Sequence, residues 1–487
     1  MLSALFLGLL AAAGGDAGAL VAEPCRFPVA AELKARTRCY RLSVPRSYER
    51  PGEGAFELAV AVQKAAVPVP GRRPLLVLHG GPGGRGAVAG FGRVRDPFAQ
   101  GVDTITFDQR GNGLSQPTLC ADIKSTTREA IAGPGDALST AWRMNEPYAR
   151  CRARFAGAGI RPEHFGTRVT TLDAERLRRA LGIAQWDIIS VSYGTLVALD
   201  MMAANPGSIG SVVLDSPVGL VPDAQTEAAA FEQPVLNLFA ACAAQPACNG
   251  AYPRLAQDYR ATFAMLDAQP LAMALDPAAT GGLAQADING IELEYLLRRL
   301  MRSSAGLGSI PRILQAARAR DVAPIRPLVQ AALAVVPEDN SLGRPAIMCH
   351  DIPELHAVSP PVRAIDLGQL FGICPIWGAA GPGPRFPGRA RSDVLMLVGA
   401  LDPLYEPALV RSIQARLGQK ARLALFPAAT HAVWSPGCAQ RIVAAFFAAP
   451  SAAPDTACIA AMPPIDFLIG GPSGNGAPAS AASGSHP

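Results

Sequence analysis

Apolar positions in this chain recur in two ways. Phe56-Glu-Leu-Ala-Val-Ala-Val-Gln63 alternates with period two, as a half-buried strand does. Pro74-Leu-Leu-Val-Leu-His79, Asp103-Thr-Ile-Thr-Phe107, Trp186-Asp-Ile-Ile-Ser-Val191, Ser211-Val-Val-Leu-Asp215, Asp393-Val-Leu-Met-Leu-Val398 and Ala421-Arg-Leu-Ala-Leu-Phe426 are short apolar runs of buried-strand type. Helical spacing lies between them, as in Thr171–Leu181, which opens on a cap-like threonine. Strands alternating with helices predict a mostly parallel, doubly wound α/β sheet covered on both faces. The alternation stops between residues 218 and 391, where Gln225–Ala243, Ile291–Ser303 and Ile310–Ala319 read as helices of an insertion over the sheet. The expected division is a core of residues 23–217, a helical cap 218–391, a returning core 392–467 and a disordered tail 468–487, the last built of Gly, Ser, Ala and Pro.

Composition adds size and compartment. A chain of 487 residues, 49% hydrophobic and 17% charged, can bury a large core, and a main domain carrying an insertion suits its length. A formal net charge of +5 is small for this size and gives no reason to expect nucleic acid or an anionic membrane as partner. Residues 1–22 read as a cleavable export signal: Leu2–Ala13 is apolar, and Ala17 and Ala19 have the small-x-small arrangement that signal peptidase accepts, although no Lys or Arg precedes the run. That run is too short to span ~30 Å of hydrocarbon, so no membrane span is expected in the mature chain. The ten cysteines support export, with disulfide pairing expected between sequence neighbours, 25 with 39, 120 with 151, 242 with 248, 349 with 374 and 438 with 458. Sequence alone leaves that connectivity open. No C-x-x-C spacing occurs, and neither metal nor cofactor is expected.

The chemistry starts at Ser190-Val-Ser192-Tyr-Gly194. It follows one predicted strand and precedes the helical run Thr195-Leu-Val-Ala-Leu-Asp-Met-Met. Strand, sharp turn with serine at the tip, then helix is the setting of a nucleophile elbow, where small neighbours let the hydroxyl rise above the sheet edge. A serine hydroxyl needs a base, and the base needs an acid that holds its tautomer; on such a sheet the chain order is serine, acid, histidine. Of six histidines, His79 and His164 precede Ser192, His350 and His356 fall in the insertion, and His486 is in the tail. His431 remains, in the loop after the last predicted strand. Asp402, at the end of the strand before it, is the expected acid. The glycine-rich His79-Gly-Gly-Pro-Gly-Gly84 could present backbone N–H groups to a developing oxyanion, with Gly81 (or Gly80) and Tyr193 as the expected donors. It lacks the spacing of a P-loop or dinucleotide loop. In Asp108-Gln-Arg-Gly-Asn-Gly-Leu-Ser115, Asp108 and Arg110 are expected to brace loops.

These three motifs together resemble the proline iminopeptidase and tripeptidyl aminopeptidase group of α/β-hydrolases. The secreted tripeptidyl aminopeptidase-like branch is the nearer likeness, through Gly399-Ala-Leu-Asp402-Pro, His431, Cys438 and Cys458, Cys349 with Asp351 close behind, and Cys374-Pro-Ile-Trp377. The resemblance implies an α/β-hydrolase fold with a helical cap, and a serine exopeptidase acting on a free peptide N-terminus. A carboxylate ~4 Å from the substrate ammonium would offer ~4 kcal/mol at an effective dielectric of 20 before desolvation. Asp351 is the expected candidate, with Glu354 second. Ser190 departs from the group's usual glycine, and Leu404-Tyr-Glu-Pro from its more frequent Thr-Pro turn. The expected partner is a peptide or a small acyl compound. An esterase using the same triad, and a binding protein that keeps the triad, are the alternatives.

Overall fold

The computed structural model describes residues 20–120, 137–219, 232–334, 343–356, 372–378, 381–405, 407–434 and 437–469. Its centre is a nine-stranded sheet. In chain order the strands are β1 (Leu20–Glu23), β2 (Thr37–Pro45), β3 (Ala55–Gln63), β4 (Leu75–Leu78), β5 (Thr104–Phe107), β6 (Trp186–Val191), β7 (Ile209–Asp215), and then, past a separate hairpin of β8 (Leu271–Ala274) and β9 (Gln285–Ile288), β10 (Asp393–Gly399) and β11 (Ala421–Phe426). Their spatial order is β1-β2-β3-β5-β4-β6-β7-β10-β11. The first three strands run antiparallel, β3 pairs antiparallel with β5, and every pairing from β5 to β11 is parallel. This is the mostly parallel α/β sheet expected from the alternating pattern, in the architecture that the α/β-hydrolase resemblance implies.

The central strands are apolar on both faces because both are covered, and their period of two sorts residues between two cores. Leu76, Leu78, Trp186, Ile188, Val394, Met396 and Val398 face one layer of helices, with Leu177 and Val197 opposite them. Leu75, Val77, Ile189, Val191, Leu395 and Leu397 face the other, with Phe98, Val443 and Phe446. Four strands lie outside the predicted runs: β8 and β9 of the hairpin and, in the large sheet, β1 and β2. β2 carries polar and exposed positions between buried ones, β1 has no fully buried position, and both lie at the sheet's margin, so their apolar signal is diluted.

The described residues of the expected insertion 218–391 pack in two places. Helices Glu232–Ala243, Leu255–Ala268, Gly290–Met301, Ile310–Arg318 and Arg326–Leu333 form a core of their own, around Leu238, Phe239, Leu293, Leu297, Ile313 and Leu314. The β8–β9 hairpin joins this core through Leu271, Met273 and Ile288, so the layer is not purely helical. Residues 343–356 and 372–377 pack elsewhere: Ile347, Cys349, Cys374 and Trp377 belong to the core on the Leu76, Leu78 and Trp186 face of the sheet. Conversely, Leu401 and Phe467, from the returning core segment, close the helical layer.

At the N-terminus, residues 1–19 of the expected signal lie outside the described residues. Leu20–Ala22, which the sequence reading gave to the signal, form most of β1 and pair with Tyr40–Leu42. In the expected tail, Leu468 donates its N–H to the Gly308 carbonyl 3.0 Å away, while 470–487 lie outside the described residues. The disulfides are Cys25–Cys39, Cys120–Cys151, Cys242–Cys248, Cys349–Cys374 and Cys438–Cys458. Among the described residues no helix is long and apolar enough to cross a membrane.

Candidate active site

At the carboxyl end of β6 the chain turns through Ser192 into the helix Tyr193–Ala204. Ser192 has φ 53°, a left-handed value that costs a non-glycine residue on the order of 1–3 kcal/mol and persists only where the surroundings impose it. They do so here by proximity. A Cβ on Gly194 would lie 2.5 Å from the Leu78 carbonyl oxygen and 2.9 Å from that of His79, so the elbow is pressed onto the end of β4. Gly194→Ala is therefore expected to displace backbone rather than a movable side chain, with a loss on the order of 1–3 kcal/mol from overpacking, read as a lower thermal midpoint. Ser190 fits where the resembling group has glycine because its hydroxyl, fully buried, donates to the Val213 carbonyl at 2.9 Å.

Asp402 lies just beyond β10 and is completely buried. Its Oδ1 accepts the N–H groups of Leu404 (2.9 Å) and Tyr405 (3.2 Å), which fixes the plane of the carboxylate. Its Oδ2 faces Nδ1 of His431 at 3.0 Å. His431 stands in the loop between β11 and the helix Cys438–Ala448, buried but for 7% of its surface. The Tyr405 ring lies 5.9 Å from the imidazole, centroid to centroid. The preceding Thr430 directs its hydroxyl at the Leu401 carbonyl (3.0 Å) and at the carbonyl of Met301, the last residue of Gly290–Met301, which ties the helical layer to the histidine loop.

The loop after β4 runs against the elbow. A Cβ on Gly80 would come within 2.9 Å of Ser192 Cβ, and Gly81 has φ +125°, a conformation that suits glycine. Tyr193 is the first residue of its helix, so its N–H lies among those that a helix leaves without an internal acceptor. His79 fills the loop's interior: a Cβ on Gly84 would sit 2.1 Å from its Nδ1. Burial pushes the His79 imidazole down to about 4, so it is neutral at pH 7.

Asp351, the expected partner of a substrate ammonium, has its carboxylate engaged by neighbouring protein groups. It is 5% exposed, and its Oδ2 accepts both the N–H (2.9 Å) and the hydroxyl (2.5 Å) of Thr167, while Oδ1 meets His350 Nδ1 at 3.0 Å. Thr167 opens the helix Thr167–Ala180, so the carboxylate of a distant segment serves as its N-terminal cap, four residues before the threonine the sequence suggested. The Thr167 hydroxyl also meets Tyr193 Oη at 2.9 Å, which extends the network to the residue after Ser192. Glu354 is exposed. Asp108 and Arg110 brace loops. Asp108 accepts the N–H of Ala87 and of Leu114, each at 2.7 Å. Arg110 grips Asp173 with two bonds (2.6 and 2.7 Å) and the carbonyls of Pro45, Arg46 and His164.

Two residues at the site were missed. Asp215, which the sequence pattern marks only as the end of a strand, bonds both the elbow and the histidine loop, and Ser216, just beyond β7, bonds the histidine loop. Among the described residues no group of three or more His, Cys, Asp or Glu side chains is arranged to hold a metal ion.

The fold and this strand-end arrangement define an α/β-hydrolase-fold protein, and the family model for the alpha/beta hydrolase fold matches residues 73–262. A tripeptidyl aminopeptidase of Streptomyces lividans is 29% identical over 189 residues, which are 37% of this chain and 35% of that protein. A proline iminopeptidase of Xanthomonas citri is 30% identical over 142 residues, 29% of this chain and 31% of that protein. The matches thus span about a third of the length of these curated relatives. A solved proline iminopeptidase from Mycobacterium smegmatis overlays with a TM-score of 0.41 at 15% identity, covering 84% of this chain and 97% of that one.

Proposed function

We propose that this chain is an exported serine hydrolase of aminopeptidase type, working through an acyl-enzyme. The observation that carries the reading is the 3.0 Å Asp402–His431 contact, made by two strand-end residues and joined to a strained serine elbow through the end of β7. Ser192 Oγ attacks the substrate carbonyl while His431 Nε2 takes its proton. The imidazole keeps its Nδ1–H on Asp402 Oδ2, which holds the tautomer and stabilises the imidazolium. The N–H groups of Gly81 and Tyr193 receive the oxyanion; each such donor is worth ~3 kcal/mol in the transition state. His431 then protonates the leaving amine, and water, activated by the same imidazole, releases the acyl group from Ser192.

The names of the relatives favour a free peptide N-terminus as the substrate's distinguishing feature. With Asp351 committed to a helix end, the ammonium would be met by another group of the site. The test compares chromogenic prolyl, alanyl and tripeptidyl amides bearing free amines with the same amides N-acetylated, and with p-nitrophenyl esters. Hydrolysis that acetylation removes supports the aminopeptidase reading; hydrolysis of esters alone sinks it and leaves an esterase with the same triad.

Five disulfides suit an oxidising compartment and support export. Cleavage after Ala19 of the Ala17-x-Ala19 pattern would leave the described strand Leu20–Glu23 intact. The processed protein is expected to begin at Leu20. N-terminal sequencing of the secreted form checks this, and a start beyond Glu23 would contradict it because the edge strand would be lost.

A further inference from the structure

We infer that Asp215 and Ser216 are positioning residues that clamp the His431 loop onto the nucleophile elbow and so set the imidazole for proton transfer from Ser192. The inference rests on the serine hydrolase reading above.

Asp215 closes β7 and is fully buried. Its backbone oxygen accepts the N–H of Ser192 itself at 3.0 Å. Its carboxylate reaches the other way: Oδ1 accepts from Val433 N–H at 3.0 Å and Oδ2 from Trp434 N–H at 2.6 Å. Ser216 Oγ takes the Ala432 N–H at 3.0 Å and directs its proton to Asp215 Oδ1 at 3.3 Å. The three consecutive amides after His431 therefore all end on two consecutive side chains, and one of those residues also holds the backbone of Ser192. Nothing comparable is needed to close a loop. Ordinary loop amides can turn to water, whereas burying a carboxylate costs several kcal/mol unless charge-assisted bonds offset it.

Backbone strain gathers at the same place. Among the described residues, four non-glycine positions have positive φ, and three of them are Ser192 (53°), Ser216 (49°) and Ala432 (60°). They are the nucleophile and the two residues joined by the Ser216–Ala432 bond. Left-handed residues hold their conformation only where contacts over-determine them. Asp215 and Ser216 supply these contacts on both sides of the site.

Burial raises the Asp215 carboxyl to about 6, opposed by the amides of Trp434 and Val433, and the charged groups facing it are His431, which lowers the value, and Asp402, which raises it. The value lies above that of an unfolded aspartate, so the neutral acid is the form that folding favours. This contribution to stability is full below about pH 4, and is lost as pH rises through about 6. The clamp works in the opposite sense, since only the carboxylate can accept from both amides. Below about 6 the proton occupies one of the two oxygens and one amide loses its acceptor. The protein thus holds the charged form at some cost in stability, a pattern seen where function requires it.

The experiment is fluorophosphonate labelling of Ser192, followed by mass mapping, with rates measured from pH 4.5 to 9 on the full chain, Asp215→Asn and Ser216→Ala. An amide side chain can accept from one of the two N–H groups and turns an N–H towards the other. Asp215→Asn is expected to lower the maximal labelling rate ~100-fold, as a displacement of about 1 Å does, with the concentration for half-maximal rate changed less than about twofold. Its acid limb becomes shallower than that of the parent, because one of two titrating groups is gone. Ser216→Ala, which loses a single amide acceptor, is expected to lose ~10-fold in rate and to keep the parent's slope. Should Asp215→Asn fail to fold, the ~10-fold rate loss of Ser216→Ala at an unchanged thermal midpoint carries the test. Parent labelling at Ser192 with unchanged rates in both variants overturns the clamp alone. A rate loss that tracks the thermal midpoint while the acid limb keeps its shape also overturns it, as a purely structural role. A parent that does not label at Ser192 overturns the hydrolase reading, and the clamp falls with it.

Discussion

Ser192→Ala is expected to yield a folded protein that takes up no fluorophosphonate and hydrolyses its substrate on the order of 10⁶-fold more slowly. The size of the loss follows from the chemistry. Without Oγ no acyl-enzyme forms, so the remaining rate must come from water attacking a substrate held by the oxyanion donors and the cap. Folding should be untouched for reasons visible at the elbow. The N–H of residue 192 keeps its bond to the Asp215 carbonyl, and its carbonyl keeps the N–H of Thr195 at 2.8 Å and the Thr195 hydroxyl at 2.6 Å. Alanine tolerates the left-handed turn no worse than serine does, so stability should change by about 0.5 kcal/mol or less. The thermal midpoint and the labelling are measured on the same sample. Persistent labelling of the variant would place the nucleophile elsewhere, and loss of labelling with loss of fold would leave Ser192 no more than a structural residue.

The sheet was legible because its central strands are apolar on both faces, and such runs stand out wherever they occur. The margins were not. In Thr37–Pro45 polar and exposed positions break the run, and Leu20–Glu23 has two adjacent exposed residues at its centre. The same reasoning separates the site residues that could be read from those that could not. Ser192, Asp402 and His431 each sit in a turn after an obvious strand, and chain order alone selects one histidine. Asp215 also ends an obvious strand, but its carboxylate's partners are backbone amides 218 and 219 positions away, and a backbone N–H leaves no mark in the sequence. Asp351 shows the converse difficulty. An acidic residue in a candidate cap suggests an ammonium partner, whereas its hydrogen-bond partners here, Thr167 and His350, follow from the packing of residues 343–356 against one face of the sheet. No local pattern distinguishes a segment that packs on one face of a sheet from one that packs on the other.

Asp402→Asn is expected to cost ~10⁴-fold in turnover with little loss of fold, because the surroundings dictate which way the amide must turn. Leu404 and Tyr405 both donate N–H groups to Oδ1. In the variant that position keeps its bonds only if it is taken by the amide oxygen, which places the NH₂ group against His431 Nδ1, 3.0 Å away in the parent. A donor facing Nδ1 forces that nitrogen to accept, so the proton moves to Nε2. The nitrogen that must take the Ser192 proton is then already protonated, and the base is lost although every heavy atom stays in place. Turnover, the fluorophosphonate labelling rate and the thermal midpoint are the three readouts. Loss of the first two with the third nearly unchanged is the expected result. Asp402→Ala separates tautomer control from packing: it leaves the N–H groups of Leu404 and Tyr405 without their acceptor and should lower the midpoint as well, by about 1–3 kcal/mol in stability. If Asp402→Asn retained more than about a tenth of the parent rate, the orienting carboxylate would have to be sought in another residue, and Asp215, buried at the end of the neighbouring strand, would be the first to examine.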